Sequence, residues 1–143
     1  MKHVLAAVCL AVAPLWCLAT EVTLEIEGLD ADRLQGATLM VGVYTVPSTW
    51  LGRPQVGHRI TLTPAAAPGG RYKLVLKNLP AGPLAISLFQ DVNANGRLDM
   101  GALGIPTERY GFSNNARGQF APPSFEQALL TPVAGQLLKI RMS

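Results

Sequence analysis

Beyond residue 19 the chain contains no cysteine, since Cys9 and Cys17 are the only two. That excludes disulfides, thiolate zinc sites and cysteine nucleophiles from residues 20–143. Histidine is almost as scarce, with His58 alone after His3. A Ser-His-Asp hydrolase would have to use it, yet Gly57-His58-Arg59 opens an expected strand. The Gly-x-Ser-x-Gly elbow of such enzymes is missing too, because Gly111-Phe112-Ser113-Asn114 does not match it. Charge of one sign is also lacking. Residues 20–143 hold 11 basic and 9 acidic side chains, a net of +2. The basic residues are scattered singly along the sequence, whereas a nucleic-acid binder concentrates them. No nucleic-acid partner is therefore expected.

There is one long apolar run, from Val4 to Ala19 behind Met1-Lys2-His3. It has the length of a signal-peptide core and falls short of the roughly 20 residues of a membrane span. Pro14 would disturb a spanning helix. Cys17-Leu18-Ala19 places small residues at −3 and −1 for cleavage before Thr20. Residues 1–19 read as a signal peptide and residues 20–143 as one domain, periplasmic or extracellular. No membrane span is expected after cleavage. Cys9 follows Val8 and Cys17 follows Trp16, so neither cysteine sits in a lipidation context.

Period-2 alternation marks half-buried strands. Val22, Leu24 and Ile26 form the first, ended by Gly28. Leu39, Val41 and Val43 form the second, and Ile60 and Leu62 the third. Tyr72, Leu74 and Leu76 form the fourth, Ala85–Phe89 the fifth, and Leu138, Ile140 and Met142 the last. Pro68-Gly69-Gly70 and Asn78-Leu79-Pro80-Ala81-Gly82-Pro83 punctuate them. Short strands at this spacing, with no long amphipathic helix, predict an all-β chain: a single antiparallel β-sandwich of about seven strands, prealbumin- or immunoglobulin-like. Ser124 is placed to cap one or two helical turns up to Leu130. Residues 91–123 lack alternation and read as one long ordered loop, with Tyr110, Phe112, Phe120 and Phe125 available to pack it onto the sandwich. Trp50 follows the second strand, either exposed for a sugar ring or partner or packed over the open end of the sandwich.

That loop opens with Asp91-Val92-Asn93-Ala94-Asn95-Gly96-Arg97-Leu98-Asp99. Oxygen-bearing side chains stand at positions 1, 3, 5 and 9, with Gly at 6, as in the first part of an EF-hand calcium loop. Calcium takes about 6–8 oxygens in flexible geometry, and alternate residues of a tight loop can turn their oxygens to one point. The expected ligands are Asp91, Asn93, Asn95, the Arg97 carbonyl and Asp99, with Glu108 folding back as a further carboxylate. Position 12 is Ala102 rather than a bidentate Glu, and a strand precedes the loop. It is therefore not an EF-hand, and its affinity should be weak, about 10⁻⁴–10⁻³ M. The alternative is a self-capped turn, since Asp and Asn make Asx-turns and Asn95-Gly96 is a favoured hairpin turn. Glu108 could equally pair with a nearby arginine and anchor the loop, and Ser113, Asn114 and Asn115 could cap backbone groups.

Phe89-Gln90 and the Asp91–Asp99 loop continue into Leu103-Gly104-Ile105-Pro106-Thr107-Glu108-Arg109-Tyr110-Gly111-Phe112-Ser113-Asn114-Asn115. This closely resembles bacterial exported proteins grouped as the domain of unknown function 2141. Asn78-Leu79-Pro80-x-Gly82 and Pro123-Ser124-Phe125-x-x-Ala128 fit as well. Pro83 departs from the aromatic or aliphatic residue that such proteins often carry there. The resemblance implies a small envelope sandwich without an established activity. The loop is also similar to calcium loops in B-type repeats of Gram-positive adhesins, a likeness of sites only.

The sequence thus reads as an exported, non-catalytic binding or structural module with calcium as its cofactor. An envelope protein or polysaccharide is the expected partner, met at an edge strand or surface. The alternative is a small hydrolase or carbohydrate-active enzyme using Asp91, Asp99 or Glu108. Carboxylates interleaved with Asn and Gly suit metal ligation better.

Overall fold

The computed structural model describes residues 20–143, and the expected signal segment lies outside the described residues. Seven strands form: β1 (Thr20–Glu27), β2 (Thr38–Tyr44), β3 (Val56–Thr61), β4 (Tyr72–Leu79), β5 (Ala85–Asp91), β6 (Tyr110–Phe112) and β7 (Leu137–Arg141). They make a three-stranded sheet ordered β4-β1-β7 and a four-stranded sheet ordered β3-β2-β5-β6. The alternation that marked the strands sets their inner faces. Val22, Leu24, Ile26, Leu76 and Ile140 of the first sheet meet Leu39, Val41, Val43, Ile86 and Leu88 of the second in one core. The all-β sandwich is as expected.

Three details differ from the sequence reading. The pair β1–β7 is parallel, while the other four strand pairs are antiparallel. Parallel neighbours need a long crossover, and the whole domain between them supplies it. The register of β4 on β1 shifts between Thr20 and Val22. Asn78 takes φ 55° there, so the expected turn residue becomes a bulge inside a longer strand. Residues 110–112, read as loop, pair with β5 as the sheet's edge. Three residues are too few to show alternation.

A second, smaller core covers the outer face of the four-stranded sheet. Tyr44, Ala85, Phe112, Phe125 and Ala128 are buried in it, with Trp50 packed against them. Trp50 stacks edge-on to Tyr44 at 5.0 Å and lies 5.9 Å from Phe125. Its indole N–H donates to the Pro123 carbonyl at 2.9 Å. Trp50 therefore packs on the sheet's face and holds down a strap, residues 113–130, that crosses it. Within the strap, α1 (Phe125–Ala128) is capped by Ser124 and Gln127 reciprocally, as that serine predicted. Phe120 does not join the packing and is 98% exposed. The strap is seated at Ala116 and Pro123, and the residues between pass outside the aromatic cluster.

Gly70 closes the turn before β4 at φ 73°, and a Cβ there would collide with the Leu29 carbonyl. Gly69 has φ 63° but open space around it. Gly69→Ala is expected to lose only the left-handed preference, about 1 kcal/mol. Gly70→Ala should lose at least twice that, because backbone must also move. Urea midpoints of the two variants check the difference, and equal losses would contradict the close approach. Among the described residues, no helix is long and apolar enough to cross a membrane.

Candidate metal loop

The loop begins where β5 runs out. Ile86, Leu88 and Gln90 share the core-facing parity of that strand, and Gln90 is fully buried. Its side chain accepts from the Asp30 N–H at 2.7 Å and donates to the carbonyls of Asp30 and Arg33. This ties the neighbouring turn to the strand end. The Arg33 guanidinium, hydrogen-bonded to Asp30, holds that carboxyl below its ordinary value. Gln90 was part of the family-like motif, but no role was read for it. The legible signal was a polar residue at a core position directly before the loop.

Asp91 is 0% exposed. Its two oxygens accept from the N–H groups of Asn95 at 3.1 Å and Gly96 at 2.7 Å. Asn93 Oδ1 accepts from the Asn95 N–H and Asn95 Oδ1 from the Arg97 N–H, two successive Asx-turns. The amides of Asn93 and Asn95 then donate to the two oxygens of Asp99 at 2.6 and 2.7 Å. Asp91, Asn93, Asn95 and Asp99 therefore join one hydrogen-bonded cluster. Positive φ falls at Ala94 (57°) and Gly96 (79°), not at Asn95. The loop is thus not the Asn-Gly hairpin turn, which needs positive φ at both of its central residues.

Glu108 folds back onto the loop and is 5% exposed. One oxygen accepts from the Val92 N–H at 2.7 Å and the other from the Asp99 N–H at 3.0 Å. It forms none of the ion pairs found among the described residues. The expected arginine partner is replaced by backbone amides, which a carboxylate brackets at fixed geometry. Beyond Asp99 the chain makes a narrow tip, with Thr107 N–H donating to Asp99 O and Gly101 N–H to Ile105 O. Met100, Leu103 and Ile105 stand exposed on it, Leu103 at 96%.

The polar residues after the tip hold other elements together. Ser113 Oγ accepts from the Ile86 N–H and donates to the Ala128 carbonyl. Asn114 donates to the carbonyls of Gln127 and Leu129. Asn115 accepts from the Arg141 N–H and donates to the Lys139 carbonyl, standing in for a neighbouring strand along β7. The capping role was expected within the loop, but the partners lie on β5, the strap and β7.

One family model, described as uncharacterized protein conserved in bacteria (DUF2141), matches residues 24–137. The chain belongs to this family. The match runs from β1 to the first residue of β7 and takes in the DUF2141 loop, its tip and the strap. No curated protein and no solved structure matches the chain.

Among the described residues, no three carboxylate, imidazole or thiolate side chains form a metal-holding group. What converges in the DUF2141 loop is two carboxylates with two amides, residue types whose oxygens hard cations take, though the amides turn nitrogen toward Asp99 in this structure. Each carboxylate oxygen here keeps a second lone-pair direction. The Asn amides can rotate to present oxygen in place of nitrogen. His58 lies on β3 with its Nε2 buried and without a hydrogen-bond partner, so no hydroxyl or carboxylate engages that nitrogen.

Proposed function

We propose that this is an exported, non-catalytic module of the bacterial envelope whose Asp91–Asp99 loop binds calcium weakly. The observation behind this reading is the cluster joining Asp91, Asn93, Asn95 and Asp99 at the end of β5, with Asp91 fully buried. The apolar run at residues 4–19 supports export. Calcium would take oxygens from Asp91, Asn93, Asn95, the Arg97 carbonyl and Asp99, while Glu108 keeps the loop's base closed. Binding would stiffen the base of the exposed tip.

The test is a thermal melt of residues 20–143 in EDTA and in about 5 mM calcium, a concentration above the weak range expected. Linkage gives about 1–2 kcal/mol of added stability, or a rise of roughly 4–8 °C. Asp99→Asn removes a charge and one of the two acceptors for the Asn93 and Asn95 amides. It should therefore lower the melting temperature in EDTA and also abolish the calcium increment, read as the difference between the variant's own two melts. Magnesium, which demands tighter octahedral geometry, should give a smaller rise. Superimposable melts of the wild type with EDTA and calcium would rule the calcium reading out.

A further inference from the structure

The basic residues that are scattered along the sequence come together in the fold. On the outer face of the three-stranded sheet, Glu25 lies between Lys73 and Lys139 in register, with both amines 3.8 Å from its carboxylate. One step along, Glu27 lies between Arg71 and Arg141, each at 4.0 Å. The result is two consecutive rows of cation, carboxylate, cation. The cation columns on β4 and β7 stand two strand spacings apart, about 9–10 Å.

The depth of these side chains matters more than their pairing. Glu25 and Glu27 are 21% and 28% exposed, whereas the four cations are 67–74% exposed. The carboxylates form a floor and the cations a roof, so an approaching partner meets positive charge. Two grooves flank the rows. One, of about 380 Å³, adds Arg117 and Asn115 beside Lys139 and Arg141. The other, of about 480 Å³, lies along Arg71, Tyr72 and Lys73. Five cations against two carboxylates give this face +3. Residues 20–143 carry +2 altogether, so the rest of the domain carries −1. In the next row, Val75 and Leu137 flank Thr23, and they are 44% and 48% exposed.

We infer that this face docks on the surface of an anionic phospholipid bilayer. The cations form a two-dimensional array over three strands, which suits a plane of headgroup phosphates better than a linear chain of charges. The half-exposed Val75 and Leu137 gain from the boundary between headgroups and acyl chains but gain nothing from a soluble polyanion. Long Lys and Arg stems can lie along that boundary with their charges in the headgroup layer. The attraction acts within a Debye length of about 8 Å at physiological salt, so the flat face must lie on the membrane.

Sedimentation of residues 20–143, which contain both sheets and both cores, with phosphatidylcholine vesicles tests this. At low ionic strength the protein should pellet with vesicles containing phosphatidylglycerol, stay free of pure phosphatidylcholine, and be released by salt. Lys139→Gln and Arg141→Gln should each lower partitioning about fivefold. Glu25→Gln should raise it about fivefold on vesicles containing phosphatidylglycerol and leave the pellet unchanged with pure phosphatidylcholine or without lipid, which separates the gain from pelleting by aggregation. Arg53→Gln, in the β2–β3 connection, should leave it unchanged. No pelleting with phosphatidylglycerol at low ionic strength overturns the inference. So do equal binding to neutral vesicles, an equal loss from Arg53→Gln, or capture of soluble polyphosphate or a DNA oligomer in preference to vesicles.

Discussion

Glu108→Ala is expected to be among the most destabilising single changes in the domain, by about 3–4 kcal/mol. The wild-type carboxylate is almost fully buried and spends both oxygens on backbone N–H groups, those of Val92 and Asp99. Charge-assisted bonds of this kind contribute about 1.5–3 kcal/mol each. Removing the acceptor leaves two partly buried donors for water to reach, and neither has another partner in the loop. The melting temperature should fall by about 10 °C or more for a domain of this size. The urea midpoint should fall with it, without a change in slope.

Glu108→Gln sharpens the expectation. The amide offers one acceptor but turns an NH₂ toward the second N–H, so one bond is replaced by donor against donor. Its loss should be about half or more of that seen with alanine. If alanine cost less than about 1 kcal/mol, Glu108 would not be the clasp of the loop. The pair of variants is measured in EDTA, so it reports on the clasp rather than on calcium. A calcium increment that survives in Glu108→Gln would place Glu108 outside the metal's ligands.

Strand periodicity made most of this fold legible. Val22, Leu24 and Ile26, or Leu39, Val41 and Val43, announce a buried face without knowledge of the partner strand. The parallel β1–β7 pair was not legible, because alternation says nothing about direction. Nor was the cationic face. Lys73 and Lys139 are 66 positions apart in sequence and meet across Glu25 only after β1 is placed between their strands. The loop was legible in its spacing, since Asp91, Asn93, Asn95 and Asp99 do meet in one hydrogen-bonded cluster. Its clasp was half legible. Glu108 was expected to fold back, but a sequence cannot show that backbone amides would meet it.

Trp50→Ala is expected to lose about 3–5 kcal/mol, the range for an aromatic side chain removed from a packed site. The indole touches rings from three separate segments: Tyr44 on β2, Phe112 on β6 and Phe125 on α1. Its N–H is the donor to the carbonyl of the buried Pro123. Trp50→Phe keeps most of the packing and removes that hydrogen bond, so about 1 kcal/mol of its loss belongs to the Pro123 carbonyl. The strap gives a local readout as well. Arg117 is the single basic residue between Ser113 and Leu130, so trypsin can cut the strap at one bond. In Trp50→Ala that cut should quicken by more than the fall in global stability accounts for, since the strap can lift while the main core stays closed. Ser113 and Asn115 would still hold the strap's first three residues to β5 and β7, so the opening begins at Ala116 and takes in the bond after Arg117. A variant that melts earlier yet shows no extra cleavage at Arg117 would mean that the strap is held by those polar residues and not by Trp50.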